Sequence, residues 1–178
     1  METFLQPQRV VAGLGLKAGD QAADFGAGHG YFTIPLARAV GTEGKVYALD
    51  IQKHALDVIR AKVQLEHLLN IDYIWADLEA PRGSRLKDAW CEAVIIANIL
   101  FQAAEKDALF QEAYRILAAG GRLIVVEWNE TPENTIGPRP EVRVGKARAL
   151  ELATNAGFEF EKECEAGSRH YCILFHKP

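Results

Sequence analysis

The segment Asp24-Phe25-Gly26-Ala27-Gly28-His29-Gly30 constrains this chain more than any other. Glycine is required where a backbone turns sharply, takes a positive φ or lies against a ligand. Here three glycines fall in alternate positions behind an acid. The hydrophobic run Val46-Tyr47-Ala48-Leu49 then ends in a second acid, Asp50. An acid at the tip of the strand after such a turn can accept hydrogen bonds from both hydroxyls of a ribose. A strand-to-helix turn without a ligand accounts for one or two glycines, not for three in this frame with both acids. The combination describes a site for a nucleoside-containing cofactor at the edge of a parallel sheet.

The glycine spacing separates two cofactor classes. A dinucleotide fingerprint needs glycines at i, i+2 and i+5. Counted from Gly26 the last falls on Tyr31, and counted from Gly28 on Thr33, so a nicotinamide oxidoreductase is disfavoured. The glycines at i, i+2 and i+4, two residues behind Asp24, form the pattern D-x-G-x-G-x-G.

The rest of the chain alternates strand-like and helix-like segments, as in an α/β parallel sheet. Residues 6–14 read as a short leading helix and 21–25 as the first strand. A helix is expected over 29–40, strands over 45–50 and 71–76, and a helix between them over 52–69. Residues 78–88, with Pro81 and Gly83, read as loop. Ala93–Ala97 is a continuous apolar run, as in a strand buried on both faces. A helix is expected over 105–118, closed by Gly120-Gly121 as a left-handed cap. The strand 122–128, the loop 129–140 and a helix over 141–155 follow. Strands 158–164 and 170–176 alternate apolar and polar residues, as in an antiparallel hairpin.

Composition limits the alternatives. The 178 residues suit one domain spanning 1–178, with 1–20 a short leading helix and turn and no separate lid domain. A net charge of −4 weighs against a dedicated nucleic-acid binder. No apolar run approaches the roughly 20 residues that span a membrane, and the first residues lack a signal-peptide pattern. Cys91, Cys164 and Cys172 are odd in number and lack C-x-x-C spacing. A disulfide framework or metal site is therefore not expected, Cys164 and Cys172 read as core thiols that can meet across the final hairpin, and a reducing cytoplasm is the simplest location.

The D-x-G-x-G-x-G segment resembles motif I of the class I S-adenosylmethionine-dependent methyltransferases. Gly28-His29-Gly30-Tyr31-Phe32-Thr33, Gly44–Ile51 and Leu117–Leu123 extend the resemblance to the ubiquinone/menaquinone-biosynthesis-like and arsenite-methyltransferase-like groups. It covers nearly the whole chain. It implies a Rossmann-like seven-stranded, mostly parallel sheet of order 3-2-1-4-5-7-6, strand 7 antiparallel, with helices on both faces. It also implies S-adenosylmethionine as cofactor and a small-molecule acceptor, in a pocket left open or covered by a partner chain, possible within a homodimer. An RNA or protein acceptor, and a non-catalytic cofactor-binding protein, stay open as alternatives. Arsenite methylation needs several converging thiolates, which these cysteines do not supply.

The resemblance assigns residues as follows. Gly26, Gly28 and Gly30 let the backbone approach the methionine portion of the cofactor, and Asp24 orients the loop near its amino group. Asp50 takes the ribose hydroxyls, or caps the next helix. Ile51 packs on the adenine face, or is core. Asp77 and the Leu78 N–H address the adenine edge, or Asp77 is a loop acid. Asn98 stands where the family faces the reacting methyl; it lacks the Pro-Pro continuation of nucleobase and glutamine N-methyltransferases, and it contacts the cofactor or caps a turn. Methyl transfer needs a general base only when the nucleophile must first lose a proton. Asn98 and Glu127 are weak catalytic candidates, Glu127 being equally an acid paired with Arg122 or another arginine. Trp128 is acceptor wall or core, the place of His170 and Tyr171 depends on strand register, and His29 is expected to face solvent. The loop 129–140 is expected on the acceptor side.

Overall fold

The computed structural model describes residues 5–130 and 136–178. Seven strands form one sheet: β1 (Gln21–Phe25), β2 (Lys45–Asp50), β3 (Ile71–Trp75), β4 (Cys91–Ala97), β5 (Leu117–Trp128), β6 (Glu159–Cys164) and β7 (His170–His176). Their order is β3-β2-β1-β4-β5-β7-β6, with β7 antiparallel to both neighbours. This is the expected sheet.

The strands alternate side chains with period two, and each face carries its own core. Phe25, Leu49, Val94, Ile96, Val125 and Phe175 point to one face. Helices α4 (Lys106–Ile116) and α5 (Lys146–Asn155) cover it with Leu109, Phe110, Ala113 and Leu152. Ala22, Val46, Ile95, Ile124, Val126 and Leu174 point to the other. There α1 (Pro7–Ala12), α2 (Thr33–Val40) and α3 (Lys53–Leu65) supply Val10, Leu36, Val40, Ile59 and Val63. The central strands β1 and β4 are thus buried on both faces, which is why Ala93–Ala97 of β4 reads as an unbroken apolar run, whereas β1 carries the buried acid Asp24 and is marked by the glycine turn that follows it.

Several boundaries differ from expectation, α3 for example ending at Leu65 rather than 69, and three of the differences have a clear physical reason. Gly120-Gly121 does not cap α4, which ends at Ile116. The glycines lie inside β5, in a bulge where β5 advances from Leu117 to Arg122 while β4 advances only from Cys91 to Ala93. The positive φ of Gly120 serves that bulge. The end of α4 is capped from far along the chain, where the Lys177 ammonium donates to the carbonyls of Tyr114 and Leu117 at 2.8 and 2.7 Å. A single 3₁₀ turn, Pro140–Val142, and extended residues replace the first turn expected of the last helix. The third is at α2, which starts at Thr33 rather than residue 29, because the glycine turn occupies 26–30.

No helix joins β3 to β4. A buried polar network shapes that connection instead. The Glu112 carboxylate accepts from the Ser84 N–H (2.9 Å) and hydroxyl (2.5 Å) and is paired with Arg115 (2.7 Å), which also reaches Asp88 and the Leu86 carbonyl. Substituting Glu112 by Ala leaves the Ser84 groups and the guanidinium without their acceptor. We expect it to lower unfolding free energy by about 3 kcal/mol, read as a shift of the urea midpoint.

Cys164 and Cys172 are opposed across the β6–β7 hairpin and joined in a disulfide, where free thiols were expected. The hairpin register brings their Cα atoms to 4.9 Å, close enough for the bond. The cysteine argument for a reducing compartment therefore falls away. Cys91 is buried and free, and burial pushes its thiol up to about 12. Among the described residues, no helix is long and apolar enough to cross a membrane.

Candidate active site

The carboxyl ends of β1 to β5 open into one cavity of about 790 Å³, toward the large end of the range for small-molecule sites. Because β7 runs antiparallel, its first residue joins this edge: His170 pairs with Trp128, the last residue of β5. The cavity therefore extends from the tips of β2 and β3 to the β5–β7 pair.

The structure brings most of the sequence-derived residues into one wall. Asp24, Gly26, Gly28 and Asp50 line it, as do Ile51, Asp77, Leu78 and Asn98. The glycine turn is anchored at each step. The N–H groups of Gly26 and Ala27 donate to the Leu49 carbonyl at 2.8 and 2.9 Å. The Gly28 N–H donates to Asp50 Oδ2 at 2.9 Å, and the Gln52 N–H to Oδ1 at 2.8 Å. Each carboxylate oxygen keeps a second acceptor position, so Asp50 can hold the turn and still accept from a ligand hydroxyl. Ile51 is 57% exposed, so it is not core. An exposed isoleucine on the wall of a cavity is suited to a flat apolar ligand face.

Gly26 has φ +70°, and a Cβ there would come within 2.3 Å of Ile99 Cγ2. Ile99, which follows Asn98 and lines the cavity, thus closes over the turn. The sequence places Ile99 with Asn98 at the carboxyl end of the fourth strand but assigns it no role. Gly30 does not line the cavity; a Cβ there would press Ile59 at 3.3 Å, so it serves the close packing of α3.

Electrostatics follow from burial. Asp24 is 2% exposed and accepts from the Thr33 hydroxyl at 2.6 Å. Burial pushes its carboxyl up to about 6, against the lowering pull of that hydroxyl and with help from the nearby Asp50 charge. The His170 ring packs against Trp128, tilted by 41° with ring centroids 4.2 Å apart. Burial, reinforced by Arg143 and Arg169, drops it to about 4.

Glu127 takes a different place from that of a catalytic base. It is 1% exposed, absent from the cavity wall, and turned onto backbone N–H groups: Leu100 at 2.7 Å, with Ile99 and Trp128 also donating. Burial pushes it up to about 7 despite these donors. It ties the turn after β4 to β5, and Arg122 pairs with Glu161 instead. The Tyr171 hydroxyl donates to the Val144 carbonyl, inside the core. Trp128 is wall, and His29 is exposed at the rim. Of the loop 129–140, Ile136 reaches the cavity, while residues 131–135 lie outside the described residues. Among the described residues no cluster of acids, histidines and cysteines could hold a metal ion.

A glycine turn at the first strand, an acid at the tip of the second and a closing antiparallel strand define the Rossmann-like S-adenosylmethionine-binding class. Residues 22–121 match the family model described as a methyltransferase domain, and the chain belongs to that family. A ubiquinone/menaquinone biosynthesis C-methyltransferase of a Marinomonas strain is 30% identical over 133 residues, 74% of this chain and 51% of that protein. A relative with the same description from Teredinibacter turnerae is 34% identical over 68% of this chain and 48% of that protein. The chain thus spans about half the length of these curated relatives. The crystal structure of a SAM-dependent methyltransferase from Aquifex aeolicus superposes with a TM-score of 0.87 at 24% identity, covering 97% of this chain and 89% of that one. S-adenosylmethionine is the cofactor of the family, and the open glycine cradle, the exposed Ile51 and the spare acceptor positions of Asp50 fit it.

Two outcomes check this geometry. Gly26→Ala meets both a positive φ and Ile99, and should weaken S-adenosylhomocysteine binding at least tenfold by calorimetry. Asp24 should titrate near pH 6 in carboxyl ¹³C spectra. Its folded pKa lies above the unfolded 3.8, so the native state holds the extra proton between these values. Its contribution to stability is then full below pH 3.8 and declines as pH rises to about 6. Asp24→Asn should remove that slope.

Proposed function

We propose that the chain methylates a small-molecule acceptor at carbon, using S-adenosylmethionine. One observation carries the reading: a single cavity joins an acid-lined end, with Asp24, Asp50 and Asp77, to an aromatic and apolar end with Trp128 and Ile136. The description of the relatives as C-methyltransferases supports carbon as the target. When bound, the cofactor supplies an electrophilic methyl on a sulfonium.

The chain's residues supply position and environment. The Asp50 charge lies close enough to oppose ionisation of Asp24, an arrangement that a cationic ligand relieves. Ile51 and Leu78 offer apolar walls beside the acids. Ile99 and Trp128 shield the middle and far end from water, which favours an in-line displacement. Glu127, turned away into the backbone, leaves the acceptor end without a carboxylate base from β5. That suits a carbon nucleophile already activated by its own ring or enol oxygen.

Calorimetry with S-adenosylhomocysteine tests the cofactor half: we expect one saturable site, weakened at least tenfold in Asp50→Ala. A wild-type protein that fails to bind would end the proposal. Incubation with methyl-labelled cofactor and electron-rich hydroxyarenes tests the other half. Label recovered on ring carbon is the expected product, and label only on oxygen or nitrogen would overturn carbon methylation.

A further inference from the structure

Among the described residues, three buried side-chain polar atoms have no hydrogen-bond partner: Oδ1 of Asn98 and both ring nitrogens of His170. Both residues line the same cavity. Buried polar groups in native proteins are almost always satisfied, and unsatisfied ones mark places completed by water, an ion or a ligand. Asn98 belongs to the middle of the site, at the tip of β4. His170 belongs to its far end, separated from β4 by the whole of β5, about 10 Å at the usual strand spacing.

The imidazole is held rather than loose. Trp128 packs against it from β5 in a tilted ring contact. Trp128 is itself backed by the Arg143 guanidinium, 6.0 Å from its ring, and by Gly137, where a Cβ would come within 2.8 Å of the indole. Arg143 is fixed by the carbonyls of Pro138 and Asn129, both at 2.9 Å. Among the described residues no hydrogen-bond partner engages the His170 nitrogens, so the ring is held by its contact with Trp128 and its hydrogen-bonding capacity is unspent.

We propose that His170 is a specificity-determining residue that recognises the methyl acceptor by hydrogen-bonding a hydroxyl on an otherwise apolar molecule. This rests on the methyltransferase reading above. An uncharged imidazole presents one donor and one acceptor, and a hydroxyl is the small group that answers either. Arg143 and Arg169 place positive charge beside the ring. They oppose a cationic amine there and favour an oxygen that carries or develops negative charge. Trp128 and Ile136 surround the position with apolar surface that matches the body of such an acceptor. His170 thus binds and orients the acceptor, and removal of a proton is not required of it.

The test uses the whole chain saturated with S-adenosylhomocysteine, with phenol as probe and toluene as its hydroxyl-free counterpart. Ring-nitrogen NMR of His170 should shift saturably with phenol and stay in place with toluene. His170→Phe should weaken phenol binding at least tenfold while S-adenosylhomocysteine affinity stays within about twofold of wild type, which also reports that the variant is folded. The proposal is overturned if phenol produces no saturable shift, if toluene shifts the ring equally, or if the variant binds phenol as the wild type does. Should His170→Phe not fold, the phenol and toluene comparison on the wild-type ring still decides. Failure of the wild type to bind S-adenosylhomocysteine would instead overturn the methyltransferase reading, while the phenol titration, which needs no turnover, would still judge His170.

Discussion

The carboxylate of Asp50 is the clamp on which the site depends. It sits at the tip of β2 and accepts the Gly28 N–H from the turn after β1 and the Gln52 N–H from the turn before α3. Two adjacent strand-to-helix crossings are thereby tied at one point. The turn after β1 can then stay open, with glycines at positive φ, because its N–H groups are satisfied by β2 rather than by a ligand. A cavity wall made of backbone is rigid only when such bonds hold it, and a rigid wall is what lets a ligand bind without first ordering a loop.

The middle of the site rests on a second carboxylate, Glu127. Its buried oxygens gather the turn after β4, which carries Asn98 and Ile99 into the cavity. Asn98 adopts a φ of +55°, a conformation that asparagine tolerates better than most residues. Asp50 and Glu127 are chemically alike, yet one lines the cavity and the other is sealed behind it. Strand alternation and the direction of the neighbouring turn separate their roles, not their residue type. Sheet geometry alone does not select a chemistry.

The far end depends on antiparallel β7. Its reversed direction brings the start of a strand, rather than its finish, to the carboxyl edge, and the Trp128–His170 pair follows from the β5–β7 register. The separate register of β6 on β7 closes the Cys164–Cys172 disulfide in the adjoining hairpin. Antiparallel β7 thus contributes both to the far end of the cavity and to the covalent brace next to it.

Local sequence determined the cofactor end. Gly26, Gly28, Asp50 and the buried run of β4 are legible, and β1 is placed by the turn after it, because turn geometry and strand periodicity act over a few residues. Tertiary structure decided the rest, for reasons of long-range pairing. Gly120-Gly121 read as a helix cap, but pairing with β4 makes it a bulge, and Lys177 from the end of the chain supplies the cap. Glu127 read as a possible base until its backbone partners across β4 were in place. His170 could be placed only by the register of β7 on β5. Hydrogen-bond register between distant strands leaves no local pattern in the residues that obey it, whereas a turn must be written into the residues that make it.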